Sequence, residues 1–345
     1  MTLTTALAIL GALVLAGVVA HGAWTSWRAN PRQPRPEVPP ADPTRQEPVL
    51  DEPGVASAPD LGDLRPPPMR KASARLDPLI DALAPITLES PVSGELALTH
   101  LPPSRRAGTK PFLIEGLNAE TGEWELPALR QRYGEFQAGV QMANRAGALN
   151  EIEFSEFVQK LQLFADGVGG MVEVPDMLDV VARARELDAF ASGHDAQLAI
   201  VLRANGAAWS VGYIQQMAAR RGFVAGVLPG RLVLPGAVEG EPPVLVLTFD
   251  AQAALADDPN ISSVREVTLS LDVPQTPESA EPFPAWHDAA RTLAADMDAT
   301  MVDDHGRPIT LHAFAAIGTE LTTLYRALES RDLAAGSLAA RRLFS

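Results

Sequence analysis

Val267-Thr268-Leu269-Ser270-Leu271-Asp272-Val273 alternates aliphatic and polar side chains over its whole length. Successive side chains of a strand point to opposite faces, so Val267, Leu269, Leu271 and Val273 share one face and Thr268, Ser270 and Asp272 the other. A strand that is apolar on one side only belongs to a sheet with one covered and one open face. That is the antiparallel arrangement with helices packed on a single side. Upstream, Gln197-Leu198-Ala199-Ile200-Val201-Leu202, Arg231-Leu232-Val233-Leu234 and Val244-Leu245-Val246-Leu247-Thr248-Phe249 read as further strands. A helix is predicted over 209–221, where Val211, Tyr213-Ile214 and Met217-Ala218 recur at helical spacing before Gly222 stops it. Downstream come a helix over 284–297, a short strand Thr300-Met301-Val302, a turn at Asp303-Asp304-His305-Gly306 and a last helix from Thr310 carrying Leu311, Phe314, Ile317, Leu321 and Leu324. The order β-α-β-β-β-α-β-α over residues 195–331 predicts an α+β domain of split β-α-β-like type. Residues 332–345 read as a flexible tail, frayed or helical from Ser337 to Ser345.

The middle third runs through the same order. Residues 79–88, Phe112-Leu113-Ile114-Glu115-Gly116-Leu117 and Phe136-Gln137-Ala138-Gly139-Val140-Gln141-Met142 are candidate strands. A helix over 153–166, the strand Val172-Glu173-Val174 and a helix over 177–190 correspond in place to the last three elements of the C-terminal domain. The expectation is two tandem copies, a degenerate one at 72–194 and a second at 195–331.

The N-terminus is of another kind. Residues 3–23 are apolar or small and neutral except His21, about the length that crosses a bilayer's hydrocarbon core as a helix. Trp24 and Trp27 follow as interfacial anchors, and Arg28, Arg32 and Arg35 come after the apolar run, with no Lys or Arg before it. By the positive-inside rule the N-terminus is outside and everything after Trp27 is cytoplasmic. A cleaved signal peptide is the competing reading, resting on the small residues Ala20, Gly22 and Ala23; it lacks the basic leader such peptides carry. Residues 28–71 are Pro-rich, with few large aliphatics, and read as a disordered linker. Extended at ~3.1 Å per residue, it reaches on the order of 100 Å.

Composition narrows the function. The formal net charge of −15 argues against nucleic acid, whose binding is dominated by Lys and Arg on phosphate. With no cysteine, thiol catalysis, disulfides and zinc ribbons are excluded. His287-Asp288 and Asp303-Asp304-His305 lack a second ligand cluster at usable spacing and read as a surface pair and a turn. Gly167-Val168-Gly169-Gly170 has no following Lys-Ser/Thr and reads as a helix end. No catalytic residue, metal or cofactor is expected.

These stretches together resemble the ZipA family of cell-division proteins. The apolar N-terminus and Pro-rich spacer match its layout. The local likeness runs through Ala196-Gln-Leu-Ala-Ile-Val-Leu-Arg203, the helix ending at Gly222-Phe223, Val246-Leu-Thr-Phe-Asp250, Val267-Thr-Leu-Ser-Leu-Asp-Val-Pro274, Leu293-Ala-Ala-Asp-Met297, Met301-Val-Asp-Asp304 and Pro308-Ile-Thr310. The resemblance implies a non-enzymatic inner-membrane tether, single-pass, with a periplasmic N-terminus and cytoplasmic domains, at the division septum. Its partners would be the C-terminal peptide of FtsZ and, through the N-terminal helix, the phospholipid bilayer. The peptide would lie on the open sheet face, here Ala199, Val201, Arg203, Thr248, Asp250, Thr268, Ser270 and Asp272. The family lines that face with aliphatic and aromatic side chains; these positions are more polar. An adaptor for another envelope complex, using the same face, is the alternative, and a membrane-tethered hydrolase the reading from a different class.

Overall fold

The computed structural model describes residues 31–34 and 76–345 apart from 239, 257, 260 and 261. The membrane helix expected at 3–23, and the linker expected at 28–71 except residues 31–34, lie outside the described residues. Among the described residues no helix is long and apolar enough to cross a membrane. The described residues group into two units, 76–140 with 151–179, and 31–34 with 141–150 and 180–345.

The strand predicted over 79–88 starts after a turn in which the Asp77 carboxylate accepts the Leu79 N–H, and runs as β1 from Asp81–Ser93. Ser93 then caps α1 (Gly94–His100), its hydroxyl accepting the Leu96 N–H. Periodicity does not announce α1, because only Gly94 and Ala97 are buried. β2 (Arg106–Ala107), β3 (Lys110–Asn118), β4 (Trp124–Glu125) and β5 (Arg132–Gln141) follow. The hairpin β6 (Ala143–Asn144) and β7 (Gly147–Ala148) leads to α2 (Glu151–Val168), β8 (Gly170–Val172) and α3 (Met177–His194). The first sheet has the order β2-β3-β5-β1-β8, with β4 paired to β3. The α2 stripe of Phe154, Phe157, Leu161, Phe164 and Val168 is buried. Phe157 meets Phe112 of β3 edge-on at 5.5 Å, and Phe164 meets Phe136 of β5 at 5.2 Å. Gly116 is required where β3 passes Tyr133: a Cβ there would lie 2.4 Å from the ring.

The second unit contains β9 (Gln197–Ala204), α4 (Val211–Ala219), β10 (Val224–Ala225), β11 (Arg231–Leu234), β12 (Leu245–Thr248), α5 (Ala251–Ala254), β13 (Glu266–Asp272), α6 (Pro282–Met297), β14 (Ala299–Val302), α7 (Leu311–Glu329) and α8 (Leu338–Leu343). Ser210 and Thr310 cap α4 and α7 through their hydroxyls, as Ser and Thr do where a helix leaves N–H groups unpaired. The antiparallel sheet has the order β10-β11-β12-β13-β9-β14. Its covered face, Ile200, Leu202, Leu245, Leu247, Val267, Leu269 and Leu271, forms one core with Trp286, Leu293 and Met297 of α6. The Trp286 indole donates to the Leu269 carbonyl at 3.1 Å, so this large core residue buries no orphan donor. The α+β class and one-sided sheet expected from the alternation are present. Set side by side, β2-β3-β5-β1-β8 and β11-β12-β13-β9-β14 have the same order, with the last strand antiparallel to the first in both.

Two expectations differ. The boundary predicted at 194/195 is not the line of division: the β6–β7 hairpin and α3 from Val180 on group with the second unit. Side chains of α3 engage the C-terminal segment, with Arg331 4.8 Å over the Phe190 ring and 3.6 Å from Glu186. Residues 332–345 are not a flexible tail. Ser337 caps α8, and Leu343 and Phe344 are 0% and 1% exposed. The Gln275 amide donates to the carbonyls of Arg341 (3.1 Å) and Phe344 (2.7 Å), and Gln141 to that of Arg342 (2.7 Å). These bonds satisfy carbonyls that a helix end leaves free.

Candidate peptide-binding face

Register decides which side chains share the open face of the second sheet. Ala199, Ser270, Val246, Val233 and Val224 stand opposite one another in a row across β9, β13, β12, β11 and β10. Beside it runs Val302, Val201, Thr268, Thr248 and Arg231. Arg203 stands opposite Glu266 and Thr300, and Gln197 opposite Asp272. Seven of the eight sequence-predicted residues therefore fall on this face: Ala199, Val201, Arg203, Thr248, Thr268, Ser270 and Asp272. Asp250 does not. β12 ends at Thr248, and the Asp250 carboxylate caps α5 by accepting the Gln252 N–H at 2.9 Å. Val246, Val233, Val224 and Arg231 join the face without having been singled out. The alternation in residues 244–249 places Val246 with Thr248, but only strand order carries the row on to Val233 and Val224.

Intramolecular partners alter the polarity of the face. Arg145, between β6 and β7, contacts Asp272 at 2.8 Å and Asp195 at 2.6 Å. With its amide turned so that the oxygen faces Arg145, Gln197 accepts at 2.9 Å. Hydrogen bonding to Asp195, then to Asp272, raises the Arg145 guanidinium above its already high pKa, so the guanidinium stays charged throughout the physiological range. Arg203 pairs with Glu266 at 2.7 Å. The hydroxyls of Ser270 and Thr248 donate to the neighbouring carbonyls of Val246 (3.2 Å) and Thr268 (3.5 Å). Donors already satisfied within the sheet lose little when water is removed from above them. The face thus carries fewer unpaired donors and charges than its residue types imply.

A cavity of ≈ 390 Å³ opens on it, lined by Val246, Thr248, Ser270, Pro242, Pro243 and Arg231 among others. Among the described residues Arg231 has no acidic partner, which leaves a half-buried cation at the rim of an apolar row. Such a face suits an extended or helical peptide that lays apolar side chains on Val246 and Val233 and a carboxylate beside Arg231.

The other singled-out groups have structural surroundings. His287 packs at 4.2 Å on the Phe314 ring, and Asp288 pairs with Arg291 at 2.8 Å. Asp303 accepts the backbone N–H groups of His305 and Arg307, closing a turn at Gly306, whose φ is +77°.

Residues 255–320 match the family model described as ZipA, C-terminal FtsZ-binding domain. The matched stretch takes in β13, α6, β14 and the first half of α7, and so includes Thr268, Ser270 and Asp272 at the centre of the open face. The resemblance read from the sequence is shown over these residues. No curated protein matches the chain.

Proposed function

We propose that this chain is a bacterial cell-division protein whose second unit binds the C-terminal tail of FtsZ on the open sheet face. The observation that carries this reading is the match of residues 255–320 to the ZipA FtsZ-binding domain, placed over the central strand of that face. The chain acts by binding and not by catalysis. The apolar N-terminal segment 3–23 spans the inner membrane once, with the N-terminus periplasmic and the folded units cytoplasmic, so that FtsZ at the septum is tied to the bilayer. The first unit is a degenerate tandem copy of the second; the coincidence of strand orders supports this.

The test is fluorescence anisotropy of a labelled FtsZ C-terminal peptide titrated with the full chain in nanodiscs. Val246→Glu places a charge in the apolar row and is expected to weaken binding at least ~10-fold, about 1.4 kcal/mol. Equal affinity of the wild type and Val246→Glu sinks this placement of the site, and no binding to either sinks the FtsZ reading. A fluorescent fusion is expected at the septum. The second reading, an adaptor for another envelope complex, is favoured by one feature: Thr248, Thr268 and Ser270 stand at the centre of the face where aliphatic side chains would grip more strongly.

A further inference from the structure

Residues 31–34 do not behave as the spacer their composition predicts. Arg32 makes a parallel bridge to Trp209, which is itself bridged to Val264. Its N–H donates to the Ala208 carbonyl at 2.6 Å, and its carbonyl accepts the Ser210 N–H at 2.9 Å. The guanidinium reaches the far end of α6, donating through Nη1 to the Met297 carbonyl (2.9 Å) and through Nη2 to Asp298 Oδ2 (2.6 Å).

Each partner favours an arginine at this spot. The last carbonyls of a helix lack intrahelical donors and lie at the negative end of its dipole. The Trp209 indole donates to the same Met297 carbonyl at 3.0 Å, so edge segment and helix end are already joined where Arg32 arrives. Asp298 is fixed in the left-handed region at φ +53° and receives the Asn205 amide at 3.1 Å. Hydrogen bonds from Asn205 and then Arg32 hold its carboxyl below the usual range. Beside the segment a cavity of ≈ 500 Å³ is lined by Arg32, Gln33, Tyr213, Met217, Arg220 and Asp296. None of these contacts uses a residue of the open face.

We propose that residues 31–34 are a latch that docks the juxtamembrane arm onto the second unit and holds that unit close to the bilayer. The proposal rests on the membrane-anchor reading of residues 3–23. Nine steps separate residue 23 from Arg32, a reach of at most about 30 Å. With the latch released, the path from bilayer to the second unit also passes through residues 35–75, which add on the order of 100 Å when extended. With the arm docked, the second unit is held within the shorter reach of the bilayer, and the peptide-binding face is presented near the membrane instead of searching a deep volume beneath it. Docking leaves the face itself free.

The experiment uses the full chain in nanodiscs of phosphatidylethanolamine and phosphatidylglycerol. Because the chain has no cysteine, His305→Cys on an exposed turn gives a single site for a donor dye, with acceptor dye on the lipid. Arg32→Glu, facing Asp298, is expected to lower energy transfer at least twofold. Hydrogen exchange of the Ser210 amide is expected to speed up at least tenfold, while the Leu269 and Leu271 amides in the sheet centre keep their wild-type rates. Arg32→Lys, which retains the charge, is expected to keep part of the Ser210 protection. Unchanged Ser210 exchange in Arg32→Glu overturns the latch; faster exchange with unchanged transfer overturns its tethering role. Failure of the wild-type chain to insert into lipid would instead sink the anchor reading, while Ser210 exchange still reports on the docking.

Discussion

Phe344→Ala is the substitution on which the tail reading stands or falls. A frayed tail loses nothing measurable when its penultimate side chain is cut back. Here Phe344 is 1% exposed, and its carbonyl accepts the Gln275 amide at 2.7 Å. Removing a buried phenyl ring costs the lost transfer energy plus the cavity left behind, typically about 3–5 kcal/mol. In a unit of this size each kcal/mol moves the melting temperature by roughly 2–4 °C, so a fall on the order of 10 °C is expected. The assay is urea unfolding followed by tryptophan fluorescence, since Trp209 and Trp286 lie in the second unit's core. The midpoint should fall at an unchanged slope, with Leu338→Ala, whose side chain is exposed, as the control within about 0.5 kcal/mol of wild type. A loss below about 1 kcal/mol for Phe344→Ala would refute the packing of the C-terminal segment.

Gly116→Ala drives a Cβ to within 2.4 Å of the Tyr133 ring and should destabilise the first unit by about 1–3 kcal/mol, read as a lower urea midpoint. Burial pushes the hydroxyls of Tyr133 and Tyr325 up to about 12 from 10.0, so folding favours their neutral forms. The stability this contributes is complete below pH 10 and is lost as pH rises towards 12; a phenolate absorbance titration of the folded protein that shows no ionisation near 12 would contradict it. Arg231→Ala should weaken binding of an FtsZ peptide and flatten its dependence on salt, because an exposed ion pair is screened within a Debye length of ~8 Å in physiological buffer. An unchanged salt slope would show that Arg231 does not meet a peptide carboxylate.

Much of the second unit was legible in the chain itself. The 267–273 alternation sets faces locally, because side chains in a strand alternate whatever surrounds them. The helix ends at 210 and 310 follow from hydroxyl caps that act within a single turn. Hence the α+β class, the one-sided sheet and seven of the eight face positions could be read without tertiary information. Asp250 was placed by extending an alternation past the point where β12 stops, and nothing local distinguishes a strand residue from a helix cap one step beyond it.

What local pattern cannot carry is pairing across long separations. Val224, Val233 and Val246 become one row with Ser270 only once the sheet order places β10, β11 and β12 beside β13. The charge of Asp272 is offset by Arg145, 127 residues away, and Arg32 finds its acceptor 265 residues on, at Met297. The tail and the arm at 31–34 look unstructured in sequence because each is short and has no periodic face of its own. Their stability comes from carbonyls and apolar surface that other segments present after folding. The sequence by itself determined the faces, the caps and the apolar N-terminal run, all governed by neighbours a few residues away. Tertiary structure alone decided which polar groups on the open face are already paired, and which apparently loose segments are held in place.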